Sequence, residues 1–309
     1  MAATLRMNQA QGIRKPAQRR KRQATGFANA GSPRTMHAAI AAPQPMHLSR
    51  LYLYPIKSSA PLAVDTASVE PRGLRNDRRW MAVDAEGRFI TGRQLPRLTL
   101  VRAQPEAQGL ALEAPGMPRL RIPFSRTDAT VPVNVWKDEV AARPAGAAAD
   151  AWLSEFLRQP ARLVHMDDRV VRAMADPKAQ PGDEVSFADA FPLLLISRAA
   201  LDGLNARLAK PASMLQFRPN MVIDGVAAHA EDAWKRIRIG GVEFDVAKAC
   251  TRCVFTTVDP ARGERDPDGE PLRTLTRYRR TPDGVTFGQN LIPRSLGAVR
   301  VGDAVEVLA

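Results

Sequence analysis

Cysteine is nearly absent from this chain: there are two, Cys250 and Cys253, and both fall in one tetrapeptide. That is too few for the disulfide framework of a secreted scaffold. It is also too few for an iron–sulfur cluster, which needs four cysteines, or two cysteines with two histidines. Histidine is scarce as well, with four in 309 residues. Long apolar runs are missing, and none approaches the roughly 18 residues of a membrane span, so no membrane partner is expected. No apolar h-region of a signal peptide opens the chain. A reducing, cytoplasmic location is the expectation. No glycine-rich dinucleotide fingerprint follows a strand, so a built-in flavin or nicotinamide site has no support.

Charge is abundant but uneven. The net formal charge is +13, which on its face suggests a nucleic-acid partner. Eight of the basic residues, from Arg6 to Arg34, lie within residues 1–45, where there is no acid. The remaining chain holds 37 bases against 32 acids. A balance of that size suits a small anionic ligand better than a long polyanion, so no nucleic acid is expected. Residues 1–45 lack apolar periodicity and are read as a disordered basic tail, a mis-assigned start ahead of Met46, or an organelle transit peptide.

From Leu51 onward the text is mostly β. Short alternating or β-branched runs recur, among them RLYLY, WMAVD, RFIT, LTLVR, LALEA, VPVNVW and RLVHM, separated by turn signals. A helix is expected over 150–158, capped by Asp150 with Leu153, Phe156 and Leu157 on one face. After a polar stretch at 174–184, Ser197 caps a second helix with Leu201, Leu204 and Leu208 on one stripe, ended by Pro211. Strands resume with MVID, RIRIG, VEFDV, CVFTTV and AVEVL. Strand–helix alternation is too sparse for a doubly wound parallel sheet. The expected fold class is α+β and β-rich: a first lobe over 46–165, then a barrel with surrounding helices over 166–309.

The pair Cys250-Thr251-Arg252-Cys253 is chemically ambiguous by itself. It fits a redox dithiol, half of a zinc site completed by His165 and His229, or two inert thiols in a strand. Four cationic positions stand in short segments marked by proline or turn residues: Lys57 in YPIKSS, Arg78 in GLRNDRRW, Arg218 in QFRPN, and Arg252 beside the cysteine. Strand ends and turns are where side chains converge on ligands, and Arg and Lys are the residue types that hold organic phosphates. Ser58, Thr251 and Asn220 add neutral hydrogen-bonding groups. Residue types and spacing alone therefore reach an anion site near a cysteine.

The ordered segments YPIKSS, GLRNDRRWMAV, TGRQLPRL, FRPNMVID, AEDAWKRIRIG, CTRCVFTTVDPARG, FGQN and VGDAVEVL together resemble the MOSC proteins. The similar branch carries an N-terminal MOSC β-barrel domain and includes the mitochondrial amidoxime-reducing components and YcbX-like bacterial proteins. The resemblance spans about Leu51 to Leu308. It implies a molybdenum cofactor, a pterin dithiolene completed by one protein thiolate, which falls on Cys253 as catalytic and metal-binding residue. Thiolate is a fitting ligand because it is anionic and polarizable. Cofactor contacts fall by motif on Lys57, Ser58, Arg78, Arg218, Asn220, Thr251, Arg252 and Asn290. A further family contact falls on Ala190 and Phe191, where the hydroxyls are lost. Asp259, before Pro260, either forms a turn or assists proton delivery.

The activity this implies is reduction of small N-hydroxylated compounds, such as amidoximes. Rival readings are a persulfide-carrying sulfur-transfer protein and a non-catalytic carrier of the cofactor. The pyridoxal-phosphate desulfurase that accompanies the sulfur-transfer arrangement has no support in this chain. With no iron–sulfur cluster, electrons are expected from a separate ferredoxin, flavin reductase or cytochrome.

Overall fold

The computed structural model describes residues 45–125 and 128–309. The expected tail over 1–45 lies outside the described residues but for Pro45. The protein is α+β and β-rich; the described residues hold three α-helices, α1 Ala147–Leu157, α2 Arg198–Asn205 and α3 Leu272–Tyr278, among many short strands.

The main sheet has nine strands. Its central path runs from His47–Leu53 through Met221–Asp224, Leu193–Ser197, Gly284–Pro293, Val242–Thr251 and Arg236–Ile239 to Val305–Val307. The last strand is tied back to the first. Leu48 N–H donates to Asp303 O at 2.9 Å, Gly302 N–H to Leu48 O at 2.8 Å, and Val305 N–H to Met46 O at 3.0 Å. The sheet thus closes into a barrel, which removes exposed edges. Alternation explains why this works: Leu48, Leu51 and Leu53 share one buried cluster with Ile237, Ile239, Phe244, Leu291 and Val305. The opening strand, expected in a separate first lobe, is therefore a stave of the C-terminal barrel.

The rest of the first half forms a four-stranded sheet, Trp80–Val83, Arg162–His165, Asp138–Pro144 and Val131–Val135, beside a three-stranded one. Helix α1 packs Trp152, Leu153, Phe156 and Leu157 into a core with Ile56, Trp80 and Leu163.

Several local expectations are corrected. Asp150 does not cap α1: Gly146 holds that position, and the Asp150 carboxylate accepts the Leu163 N–H at 2.9 Å instead. LTLVR is split between a 3-10 turn over Pro96–Leu100, begun by a proline, and a strand Arg102–Glu106. Ser197 does cap α2, its side chain accepting from Ala200 N–H, but the helix ends at Asn205, short of Leu208.

His165 lies against Trp80 and Phe124, with ring centroids at 4.4 and 5.0 Å. Burial, and then the charge of Arg79, lowers its pKa to about 4. A histidine whose folded pKa is depressed contributes stability above its unfolded value of about 6.5, and that stability is lost as pH falls toward 4. The wild type is expected to lose about 2–3 kcal/mol more between pH 7 and pH 4 than His165→Phe. Urea unfolding at the two pH values measures this, and equal losses would count against it.

Candidate functional site

Turns at the barrel mouth carry the cationic residues. Lys57 follows the strand His47–Leu53 and is held by its backbone N–H to Trp80 O at 2.8 Å. Ser58, Arg78 and Arg218 all have positive φ, at 68°, 50° and 58°. Non-glycine residues in this region are strained by about 1–3 kcal/mol each. Three of them on one cavity show a backbone held against local preference by its surroundings.

Tyr54 organises this wall. It is fully buried, and its hydroxyl donates to Pro219 O at 3.1 Å. The Arg78 and Arg218 guanidiniums lie 4.4 and 4.0 Å from its ring centroid, so two like charges share one aromatic ring. Arg78 pairs with buried Asp77 and donates to Asn220 Oδ1 at 2.9 Å. Asn220 also accepts from Leu194 N–H at 3.2 Å and donates to Tyr52 O at 3.2 Å. Arg218 donates to Ser59 O at 2.6 Å, yet its Nη2 is buried without a partner. Burial, and then repulsion from Arg78, lowers the Arg218 pKa to about 10. Buried Lys57 donates to Phe187 O at 2.7 Å and pairs with Asp189. Burial pulls the Lys57 pKa down, against the opposing pull of Asp189.

The cysteine segment is positioned by the barrel's longest pairing. Val242–Thr251 runs beside Gly284–Pro293, and Arg252 N–H continues the ladder to Val285 O at 2.7 Å. CVFTTV was expected as a strand. It turns instead into a 3-10 helix over Val254–Thr257, because the Thr256 and Thr257 hydroxyls bond back to Cys253 O and Val254 O at 2.9 and 2.8 Å. That turn leaves Cys253 extended and exposed at its start. Cys250 is only partly exposed, packed against the cluster of Phe217 and Phe287, and its sulfur accepts from Arg252 Nη1 at 2.9 Å. Arg252 Nη2 donates to Phe217 O at 2.6 Å, while its Nε is buried without a partner.

All nine sequence-selected residues line one cavity of about 960 Å³: Lys57, Ser58, Arg78, Arg218, Asn220, Thr251, Arg252, Cys253 and Asn290. That is near the top of the roughly 300–1,000 Å³ range of small-molecule sites. Among the described residues, eight basic and three acidic side chains line it, so the interior favours an anion. Ala190 and Phe191 line it too.

Sequence reasoning missed Arg93, Trp136, Arg172 and Asp189, which also line the cavity. Arg93 stood inside the quoted TGRQLP segment, and its position in that motif was the available signal. Arg172 is consumed by structure, donating to Ser186 O and Ala188 O at 2.9 and 2.6 Å and pairing with Asp138 at 2.7 Å. Asp259 is a turn former: its carboxylate accepts from Ala261 N–H at 2.9 Å, and it is not among the cavity's residues. No group of three or more His, Cys, Asp or Glu suited to a metal ion occurs among the described residues.

Residues 46–160 match the family described as the MOSC N-terminal beta barrel domain, and 182–306 match the MOSC domain. The chain is 38% identical over 279 residues to the mitochondrial amidoxime-reducing component 1 of Mus musculus, covering 84% of this chain and 82% of that protein. It is 36% identical to the Homo sapiens counterpart at the same coverage. The mitochondrial amidoxime reducing component 2 of Bos taurus is 35% identical, again over 84% of this chain and 82% of the relative. These mitochondrial relatives overturn the cytoplasmic location inferred from cysteine usage: two thiols in a reducing environment do not tell one reducing compartment from another. No helix among the described residues is long and apolar enough to cross a membrane.

Proposed function

The chain belongs to the MOSC family, in the branch with an N-terminal MOSC β-barrel domain, and from that membership we propose that it is a molybdenum-cofactor-dependent reductase of N-hydroxylated compounds. A mitochondrial setting, like that of the relatives, accompanies the reading. The observation that carries it is the pairing of an exposed Cys253 with a strongly cationic cavity in which buried guanidinium N–H groups of Arg218 and Arg252 lack partners. Orphaned buried donors are costly unless a ligand satisfies them. An anionic, phosphate-bearing pterin dithiolene fits that donor set, and a thiol is the protein ligand its metal accepts.

Arg78, Arg218, Arg252 and Lys57 hold the anionic cofactor by charge-assisted hydrogen bonds. Ser58, Asn220, Thr251 and Asn290 add neutral contacts, and Cys253 supplies the thiolate. The bound group supplies the two-electron chemistry that removes the oxygen of an N–OH group, with two protons, giving the N–H product and water. The protein orients the substrate and tunes the charge around the thiolate.

Electrons come from outside the chain, because two cysteines cannot hold a cluster once one serves the metal. Purified protein loaded with cofactor is expected to convert benzamidoxime to benzamidine with reduced methyl viologen and to show no turnover with NADH or NADPH alone. Molybdenum and pterin content measured on the same sample separates the alternatives. Bound cofactor with no benzamidoxime turnover identifies a carrier. Turnover driven by NADH alone would show a donor site within this chain and overturn the external-donor reading.

A further inference from the structure

Trp136 occupies the tip of the hairpin that joins Val131–Val135 to Asp138–Pro144. It is the most conspicuous residue of the cavity for a physical reason. Its backbone is left-handed, with φ 59°, a conformation that a bulky side chain rarely adopts. The residue is 52% exposed although the protein offers apolar cores elsewhere. Neither feature helps the hairpin fold, since a turn residue such as Asn or Gly satisfies that φ without exposing a large ring. Strain and exposure at one side chain inside a cavity point to a ligand.

The ring is also held in place. Its Nε1–H donates to Asp189 Oδ1 at 3.2 Å, and Asp189 in turn pairs with buried Lys57. Arg93 lies with its guanidinium carbon 4.7 Å from the indole centroid and with Nη1 3.8 Å from Asp189 Oδ2 and 3.9 Å from Cys253 Sγ. Phe89 packs against the indole at 5.2 Å between centroids and 58° between planes. The exposed indole surface is therefore a fixed, flat wall on the same cavity as Cys253. The phosphate-holding cations Arg218 and Arg252, by contrast, lie around Tyr54 and Phe217. On its own side of the cavity Trp136, backed by Phe89, adds an aromatic wall to the charged groups Arg93, Lys57 and Asp189.

We infer that Trp136 is a specificity-determining residue: its indole stacks on the flat, conjugated body of an aryl N-hydroxylated substrate and selects it over aliphatic analogues. The inference rests on the reductase reading above. Offset stacking rewards planar π surface and gives little to a methyl group.

The test compares Trp136→Ala and Trp136→Phe with wild type, all full-length and cofactor-loaded, using benzamidoxime and acetamidoxime as probes. Turnover with reduced methyl viologen gives KM and kcat, and calorimetry gives Kd for the same two compounds. Trp136→Ala is expected to raise KM and Kd for benzamidoxime by about tenfold while kcat stays within about twofold. Its acetamidoxime constants are expected to stay within about twofold of wild type, and Trp136→Phe to recover most of the benzamidoxime affinity. An equal change for both compounds, or a loss confined to kcat, overturns the inference. A wild type that binds benzamidoxime but reduces neither compound sinks the reductase reading, while the affinities still decide the role of Trp136. A wild type that binds neither compound overturns both.

Discussion

Cofactor-loaded protein carrying Cys253→Ala is expected to lose benzamidoxime reduction to background and to lose its molybdenum, whereas Cys250→Ala keeps substantial activity and bound metal. The two thiols differ in surroundings rather than in type. Cys253 is exposed in the cavity at the start of a 3-10 turn, with the Arg93 guanidinium 3.9 Å from its sulfur. A metal needs an anionic sulfur with an open approach. Cys250 is partly buried beside Phe217 and Phe287 and serves as an acceptor for Arg252. Its replacement removes one weak sulfur acceptor and a small apolar contact, costing roughly 1 kcal/mol in stability. Metal analysis and turnover on both variants decide the assignment. A dead Cys250→Ala beside an active Cys253→Ala would reverse it, and equal loss would restore a dithiol site.

Arg218→Met and Arg78→Ala are expected to weaken cofactor retention by about ten- to hundredfold, the equivalent of one charge-assisted hydrogen bond of about 1.5–3 kcal/mol. The two variants should differ without cofactor. Arg218 is a half-buried cation held 4.0 Å from the Tyr54 centroid with Arg78 on the same ring, and desolvation followed by that repulsion lowers its pKa to about 10. Methionine keeps the stem packed on Tyr54 and removes a charge that the empty cavity disfavours. The cofactor-free Arg218→Met protein is therefore expected to melt at or above the wild-type temperature. Arg78→Ala leaves buried Asp77 without its cation and the Asn220 carbonyl with only the Leu194 N–H as donor, so that protein should melt lower. Dialysis against chelator with pterin fluorescence measures retention, and differential scanning calorimetry measures melting. Full occupancy in both variants would remove these arginines from the cofactor site.

Local chemistry was readable without coordinates. Ser197 was recognised as a helix cap because its hydroxyl has a nearby backbone N–H to satisfy. WMAV, LALE and VPVNV were recognised as strands because β-branched and alternating residues favour a half-buried pleat. The nine residues that line the cavity were found through ordered motifs. The misses were equally local in origin. CVFTTV has strand-like composition, yet its two threonines cap their own backbone and favour a tight turn. Asp150 has the right side chain for a cap, but the backbone of Leu163 claims it.

What the chain order could not reveal is which distant segments meet. His47–Leu53 belongs to the C-terminal barrel because Leu48, Leu51 and Leu53 bury beside Phe244 and Leu291, a choice made by long-range apolar burial rather than by propensity. Lys57 reaches Asp189 across 132 residues, and Arg78 reaches Asn220 across 142. Trp136 and Arg93 belong to the cavity only through such closures: one is a hairpin tip with nothing in its sequence context to mark it, and the other a loop arginine marked only by its place in TGRQLP. The sequence by itself determined which residue types were present: cations, hydrogen-bonding side chains and a thiol. Tertiary structure decided their convergence, the exposure of one thiol rather than the other, and the aromatic wall, because each depends on segments brought together by the closed core.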